Sequence, residues 1–263
     1  MNDVKKQSYQ YTYKIVPFII FTFAITWICA YLMTKMDNTS YGFVLIILDF
    51  VENASPLIVA LLLIKRQLNK KGFFMGFVFG ERKGFGPYII VALLFILQFL
   101  NFYLFCTDEV TLTFQMFASV FAGQLLLGGG LEEAGWRGYL LPAFEQRMPV
   151  LLASVAVSLI WVVWHIPYFI LPGSMHSGGN FISYTIIGII TGFVLTAIYK
   201  LTKSVLLCTL FHSWQNTIVM TLQADMQNPG FMMCFLTLGI IAVVITIFLE
   251  RKSKSGQRKD GQL

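Results

Sequence analysis

Charged residues are scarce in this chain. Asp, Glu, Lys and Arg make up 12% of its 263 residues, whereas 57% are hydrophobic. A soluble globular domain usually has about 25% charged residues, so this composition excludes an ordinary soluble domain. The formal net charge is +6, but the basic residues lie in short segments between apolar runs. That placement is typical of membrane topology and of contact with anionic lipids, and it argues against nucleic acid as a partner.

Cysteine and histidine are also rare. The four cysteines, Cys29, Cys106, Cys208 and Cys234, are scattered, and no two of them form a C-x-x-C pair. They therefore predict neither a disulfide framework nor a thiolate zinc site. The three histidines form no H-E-x-x-H sequence, which excludes the metal-binding helix of the usual zinc proteases.

What the chain has instead is long apolar runs. About 20 apolar residues cross the hydrocarbon core as a helix, and by that measure the sequence predicts eight spans. They lie near 15–35, 42–64, 87–106, 112–132 (extending to about 141), 150–171, 181–200, 205–224 and 231–249. Because the connections are short, we expect an all-α polytopic membrane protein in which 1–263 form a single integral membrane domain. The polar, basic residues 251–263 predict a disordered tail.

The basic residues predict the orientation of this domain. With eight spans, every lysine and arginine except Lys35 falls on the same side of the membrane. The excess of basic residues on cytoplasmic loops then places both termini in the cytoplasm.

Two adjacent glutamates, Glu132 and Glu133, lie in the fourth run and are followed by Arg137. A charge at the centre of a membrane helix costs about 2.5–3.5 kcal/mol on insertion scales, so these carboxylates suggest a function. On a helix Glu133 and Arg137 would be one turn apart and could pair, while Glu132 points about 100° away. The alternative is an ion pair that only joins two helices. The predicted boundaries also imply a depth difference of about 10–15 Å between Glu132 and His165 in the next span.

Polar residues recur in the fifth and seventh spans. His165 follows Trp161 by one helical turn, and His212 and Asn216 share one face of a helix. Taken singly, each is better explained by packing or by interhelical hydrogen bonds than by catalysis. Together with Glu132 they predict amide hydrolysis, in which carboxylate and imidazole activate a water and two donors hold the oxyanion. The same carboxylate and the two imidazoles are also a ligand set that zinc accepts.

The motifs Glu-Glu-x-x-x-Arg, aromatic-x-x-x-His and His-x-x-x-Asn, in this order on three predicted helices, resemble those of a known family. It is the CAAX protease and bacteriocin-processing (CPBP, or Abi) family of intramembrane proteases, and the resemblance covers about 110–222. Trp161 occupies the place where the family usually has Phe. The resemblance implies that Glu133 counts among the catalytic residues and that Arg137 supports them.

The resemblance also implies the other roles. Glu132 would be the general base, and His165 would help it to activate the water. His212 and Asn216 would stabilise the oxyanion. The family was long labelled metalloprotease, but the glutamate mechanism implied by its eukaryotic members needs no cofactor, so a zinc ion held by Glu132, His165 and His212 is the less favoured expectation.

The resemblance implies a peptide or lipidated protein as the substrate and the lipid bilayer as the surroundings. For a bacterial member it implies the plasma membrane, and bacteriocin maturation or self-immunity as the setting. Two other functions stay open. Glutamate and histidine chains inside membranes also relay protons, which allows a proton- or ion-coupled transporter. A non-catalytic immunity or scaffold protein is the third reading, and the oligomeric state is left open.

Overall fold

The computed structural model describes residues 13–36, 38–81, 84–106, 113–172, 176–222 and 228–260. The first part of this chain forms five helices: α1 (Ile15–Met33), α2 (Asn38–Asn53), α3 (Ser55–Leu68), α4 (Phe73–Phe79) and α5 (Phe85–Leu104). The second part forms eight more, three of which have five residues or fewer: α6 (Phe114–Leu126), α7 (Glu133–Gly135), α8 (Leu141–Glu145), α9 (Val150–Trp164), α10 (Ile166–Ile170), α11 (Phe181–Thr202), α12 (Val205–Leu222) and α13 (Pro229–Asp260). The predicted all-α membrane fold is confirmed.

The predicted number of eight spans is not confirmed. Among the described residues, five helical segments are long and apolar enough to cross a bilayer: Ile15–Met33, Phe85–Leu104, Phe114–Glu145, Phe181–Thr202 and Pro229–Ser253. The pair α2 and α3 makes a sixth if it is one span bent by 57°. The predicted spans 150–171 and 205–224 are not among these segments. Their helices do not qualify because α9 has only 15 residues and α12 includes several polar side chains.

The bend between α2 and α3 is held by a buried hydrogen-bond network. Thr26 of α1 donates from Oγ1 to the carbonyl of Glu52 (3.0 Å) and lies 2.7 Å from Ser55 Oγ. Trp164, the last residue of α9, donates its indole N–H to the same Thr26 oxygen at 2.9 Å. Backbone groups freed at a bend need hydrogen-bond partners inside a membrane. Thr26 supplies one to the Glu52 carbonyl and joins α1 to α2, α3 and α9.

Several of the basic connections meet in space. The backbone N–H of Lys14 donates to Tyr139 Oη (2.8 Å), and Lys200 Nζ pairs with Glu145 Oε2 (2.9 Å). The segment after α4 joins them, because the N–H of Glu81 bonds the carbonyl of Thr202 at 3.1 Å. The predicted orientation stays a prediction. It also depends on residues outside the described part of the chain: Lys5, Lys6, Arg82 and Lys83.

In the structure α13 continues as helix to Asp260, where the sequence predicts a disordered tail from residue 251. Extending an existing helix adds one hydrogen bond for each residue that is fixed. Arginine and lysine are good helix formers, and cations near a helix C-terminus interact favourably with its dipole. The composition of 251–260 alone does not show that a helix from the preceding apolar segment continues through these residues. Residues 261–263 lie outside the described part.

We expect Thr26→Val to destabilise the fold by about 1–3 kcal/mol, because it leaves the Trp164 indole and the Glu52 carbonyl buried without their partner. Reversible unfolding in mixed micelles measures this change. Thr237→Val is the matched control, since the exposed Thr237 hydroxyl bonds only the Met233 carbonyl of its own helix. A loss of stability no larger than in the control would contradict the role given to Thr26.

Candidate active site

The chain between α6 and α8 is an irregular helix. A 3₁₀ turn at Gly129–Glu132 is followed by the single α-turn of α7 and by a π-helical turn at Trp136–Leu140. Short 3₁₀ and π segments of this kind are frequent at functional sites. The whole stretch Phe114–Glu145 is a 32-residue segment, so Glu132 lies well inside it. This segment agrees with the predicted extension of the fourth span to about 141.

Glu132 is 2% exposed, and its two carboxylate oxygens differ. Oε2 accepts two hydrogen bonds, from the indole N–H of Trp136 at 3.1 Å and from that of Trp161 at 2.6 Å. Oε1 makes no hydrogen bond to the described residues. The Trp161 contact holds α9 against the 3₁₀ turn, which brings the second motif to the depth of the first.

His165 lies at the break between α9 and α10, where Pro167 follows. Its Nδ1 is 2.8 Å from the carbonyl oxygen of Trp161. Because a carbonyl only accepts hydrogen bonds, Nδ1 carries the proton, and Nε2 of the neutral ring is then an acceptor. The ring packs edge-on against Trp161 and Trp164, with centroids 4.5 and 4.6 Å apart.

Glu133 forms the centre of a buried charge cluster. Its Oε1 accepts from Arg137 at 3.0 Å and lies 2.8 Å from His212 Nδ1. All three side chains are almost completely buried. The predicted pairing with Arg137 is present, and the cluster extends it to α12. Glu133 therefore orients His212, while Glu132 is left to different partners.

His212 and Asn216 direct their nitrogens toward one point of the backbone. A Cβ atom added to Gly129 would lie 2.8 Å from His212 Nε2 and 2.9 Å from Asn216 Nδ2. Only glycine leaves this space open. Asn216 Nδ2 also donates to Gln124 Oε1 at 3.0 Å, which uses one of its two N–H groups and fixes the direction of the other.

Trp161 connects these groups. In addition to its bond to Glu132 and its carbonyl contact with His165, its ring lies edge-on to that of His212 at 5.7 Å. The structure thus brings together residues from the 3₁₀ turn, α9 and α12, as the motif analysis predicted. Their chemical roles stay predictions.

Some residues of the site had no signal in the sequence. The spacing does not show that Gln124 bonds Asn216, whereas the four-residue spacing of Glu132 and Trp136 is one that could have indicated their contact. Glu52 is a further buried carboxylate beside the site: Tyr168 Oη donates to Glu52 Oε1 at 2.6 Å, and the Tyr168 ring lies 5.5 Å from that of His165. Such contacts depend on helix packing, which a linear pattern does not contain.

A metal centre is the alternative interpretation of this site. The described residues contain no group of three or more His, Cys, Asp or Glu side chains placed to hold a metal ion. In the proposed ligand set, one oxygen of Glu132 and Nδ1 of both His165 and His212 are engaged by other partners. Metal-binding histidines usually have Nδ1 engaged in this way and bind through Nε2, so the expectation that no cofactor is needed stays a prediction.

The fold and the site define a polytopic membrane protein with glutamates, histidines and an asparagine gathered inside the helical segments. Residues 113–218 match the family model described as type II CAAX prenyl endopeptidase Rce1-like. The chain is also 32% identical over 125 residues to the CAAX prenyl protease 2 of Methanococcus maripaludis. That match covers 44% of this chain and 42% of the relative. The predicted resemblance to CPBP-family intramembrane proteases is thereby confirmed for the helices that carry the site.

We expect Glu133→Ala to destabilise the fold by about 3–5 kcal/mol, because it leaves the buried Arg137 charge without its partner. Glu145→Ala is the matched control. Its partner Lys200 is partly exposed, with both side chains about one fifth accessible, so we expect a loss of about 0–1 kcal/mol. Unfolding in mixed micelles compares the two variants, and equal losses would show that the Glu133 cluster is not a buried ion pair.

Proposed function

We propose that this protein is a CAAX-protease-like intramembrane endopeptidase that hydrolyses a peptide bond with a water activated by Glu132 and His165. The observation that carries the proposal is the meeting of His212 Nε2 and Asn216 Nδ2 at Gly129, which begins the 3₁₀ turn that ends at Glu132. Two donors beside a buried general base are the arrangement that an oxyanion intermediate requires.

In the first step, a water gives one proton to Glu132 Oε1 while its oxygen attacks the carbonyl carbon of the scissile bond. His165 Nε2 accepts the second hydrogen of this water and so directs its lone pair toward the substrate. The carbonyl oxygen becomes the oxyanion. No serine or cysteine nucleophile is needed, because the nucleophile is water.

His212 and Asn216 then hold the oxyanion. His212 donates from Nε2 when both of its ring nitrogens are protonated, and the adjacent Glu133 carboxylate stabilises that imidazolium through Nδ1. As the intermediate collapses, Glu132 returns its proton to the leaving nitrogen. The products are a peptide with a new carboxyl group and one with a new amine, and the carboxylate is regenerated.

A membrane-associated substrate fits the location of the site inside the helical segments. The names of the matching family and of the relative support a prenylated peptide as the first substrate to test, and a different lipid anchor as the second. We further propose that both termini face the cytoplasm of a bacterial cell, which accords with the basic residues that meet at one set of connections.

Cleavage by the purified protein in proteoliposomes tests this function. The probes are three internally quenched peptides of one sequence: farnesylated near a CAAX-type C-terminus, N-acylated, and without lipid. We expect cleavage of a lipidated probe, and in Glu132→Gln a fall in kcat of about 10²–10⁴-fold, the usual share of a general base. Glutamine keeps the volume and can still accept the indole hydrogen bonds.

Glu145→Gln is the control, because it alters a carboxylate of the same segment outside the site. We expect its activity to equal that of the wild type, and activity to persist in a metal chelator. Undiminished cleavage by Glu132→Gln would overturn the mechanism. Proton-driven solute uptake by vesicles that cleave no probe would favour a transporter instead.

We expect Gly129→Ala to lower kcat by about 10²–10³-fold, comparable to the loss of an oxyanion donor, because its methyl group would occupy the space between His212 and Asn216. Gly123→Ala is the matched control. Outside its own helix, no described atom lies within 4 Å of the Cβ position at Gly123. Full activity of Gly129→Ala would place the oxyanion elsewhere.

A further inference from the structure

Two indole groups bind the same oxygen of Glu132. The Trp136 indole, one helical turn after Glu132, donates to Oε2 at 3.1 Å, and the Trp161 indole of α9 donates to it at 2.6 Å. Their side chains are 0% and 7% exposed. An indole N–H donates and never accepts a hydrogen bond, so both contacts require acceptor lone pairs on Oε2.

This arrangement distinguishes the two oxygens of one carboxylate. With two donors on Oε2, both of its lone pairs are used, and a proton that arrives at Glu132 binds Oε1. We propose that Trp136 and Trp161 are positioning residues that fix Oε2 and thereby present Oε1 as the proton acceptor. The catalytic consequence rests on the proposed function, whereas the two hydrogen bonds do not.

Trp161 has a second part in this arrangement. Its backbone carbonyl holds His165 Nδ1 at 2.8 Å, so the same residue orients both groups that face the water. The two contacts are separable by mutation. Trp161→Phe removes the indole N–H but keeps the carbonyl and most of the aromatic packing, so it tests the bond to Glu132 without releasing His165.

The other three tryptophans, Trp27, Trp164 and Trp214, provide reference signals for a spectroscopic test. The chain has five tryptophans. Trp27 donates to the carbonyl of Trp164 at 3.1 Å, and Trp164 donates to Thr26 Oγ1 at 2.9 Å. Trp214 Nε1 is buried and has no partner among the described residues. Of the five indoles, therefore, only those of Trp136 and Trp161 bond a carboxylate.

NMR spectra of protein labelled with ¹⁵N-indole tryptophan in nanodiscs test the proposal without any substrate. Single Trp→Phe variants assign the five indole signals. We expect the Trp136 and Trp161 signals to lie downfield of the Trp214 signal, because hydrogen bonds to an ionised acceptor are the strong ones. In Glu132→Leu both signals should move upfield, while those of Trp27, Trp164 and Trp214 stay in place.

Glu132→Gln is the second variant, in case leucine is not tolerated. Its neutral amide oxygen is a weaker acceptor, so a smaller upfield shift of the same two signals is expected. Signals of Trp136 and Trp161 that do not respond to either substitution would overturn the proposal. This result is independent of whether the protein cleaves any peptide.

Kinetics then test the consequence for catalysis. We expect Trp161→Phe and Trp136→Phe each to lower kcat by about 10–100-fold, the worth of a hydrogen bond to a charged group, with KM nearly unchanged. Trp214→Phe should leave both constants unchanged, because it removes no hydrogen bond. Unchanged kcat in both test variants, with the NMR shifts present, would overturn the positioning role. Absence of cleavage by the wild type would instead count against the proposed function.

Discussion

The carboxylates buried in the helical segments impose the central constraint on this structure. An unpaired charge in a low-dielectric interior is costly, so each carboxylate needs partners that the fold must supply. Glu132 and Glu133 are neighbours in sequence, yet they meet this need differently. Glu133 is neutralised by Arg137 and faces His212, whereas Glu132 receives only neutral N–H donors. Glu133 is thereby suited to hold a cation in place, and Glu132 retains one oxygen without a hydrogen bond to the described residues.

The irregular helix between α6 and α8 makes this division possible. In a regular α-helix, successive residues point about 100° apart, which alone does not bring Glu132 toward Trp161 and Glu133 toward His212. The 3₁₀ turn and the π-helical turn change the local pitch on either side of the pair. Gly129 at the start of the 3₁₀ turn lets the backbone approach His212 and Asn216 within the space that a side chain would fill.

The sequence predicted the parts of this site that depend on helical spacing. Residues four apart, such as Glu133 with Arg137 and His212 with Asn216, share a helical face whatever the tertiary packing. It did not predict Gln124 or Tyr168, because their contacts join elements far apart in the chain. The predicted eight spans are not confirmed for a related reason: hydropathy detects apolar runs, but it does not show that α9 ends at Trp164 or that α2 and α3 meet at an angle. The helical continuation of α13 to Asp260 likewise depends on the helix before it.

The position of α9 links the architecture to the site. Trp161 and Trp164 lie on this helix, and their indoles point to different partners: Glu132 in the 3₁₀ turn and Thr26 in α1. The same turn of α9 ends at His165, whose Nδ1 returns to the Trp161 carbonyl. A rotation of α9 about its axis would therefore break the contact with Glu132 and the contact with α1, and it would turn the His165 imidazole away from the site. Because these contacts fail as a set, the hydrogen bonds that stabilise the helix packing also fix the geometry of the candidate catalytic groups.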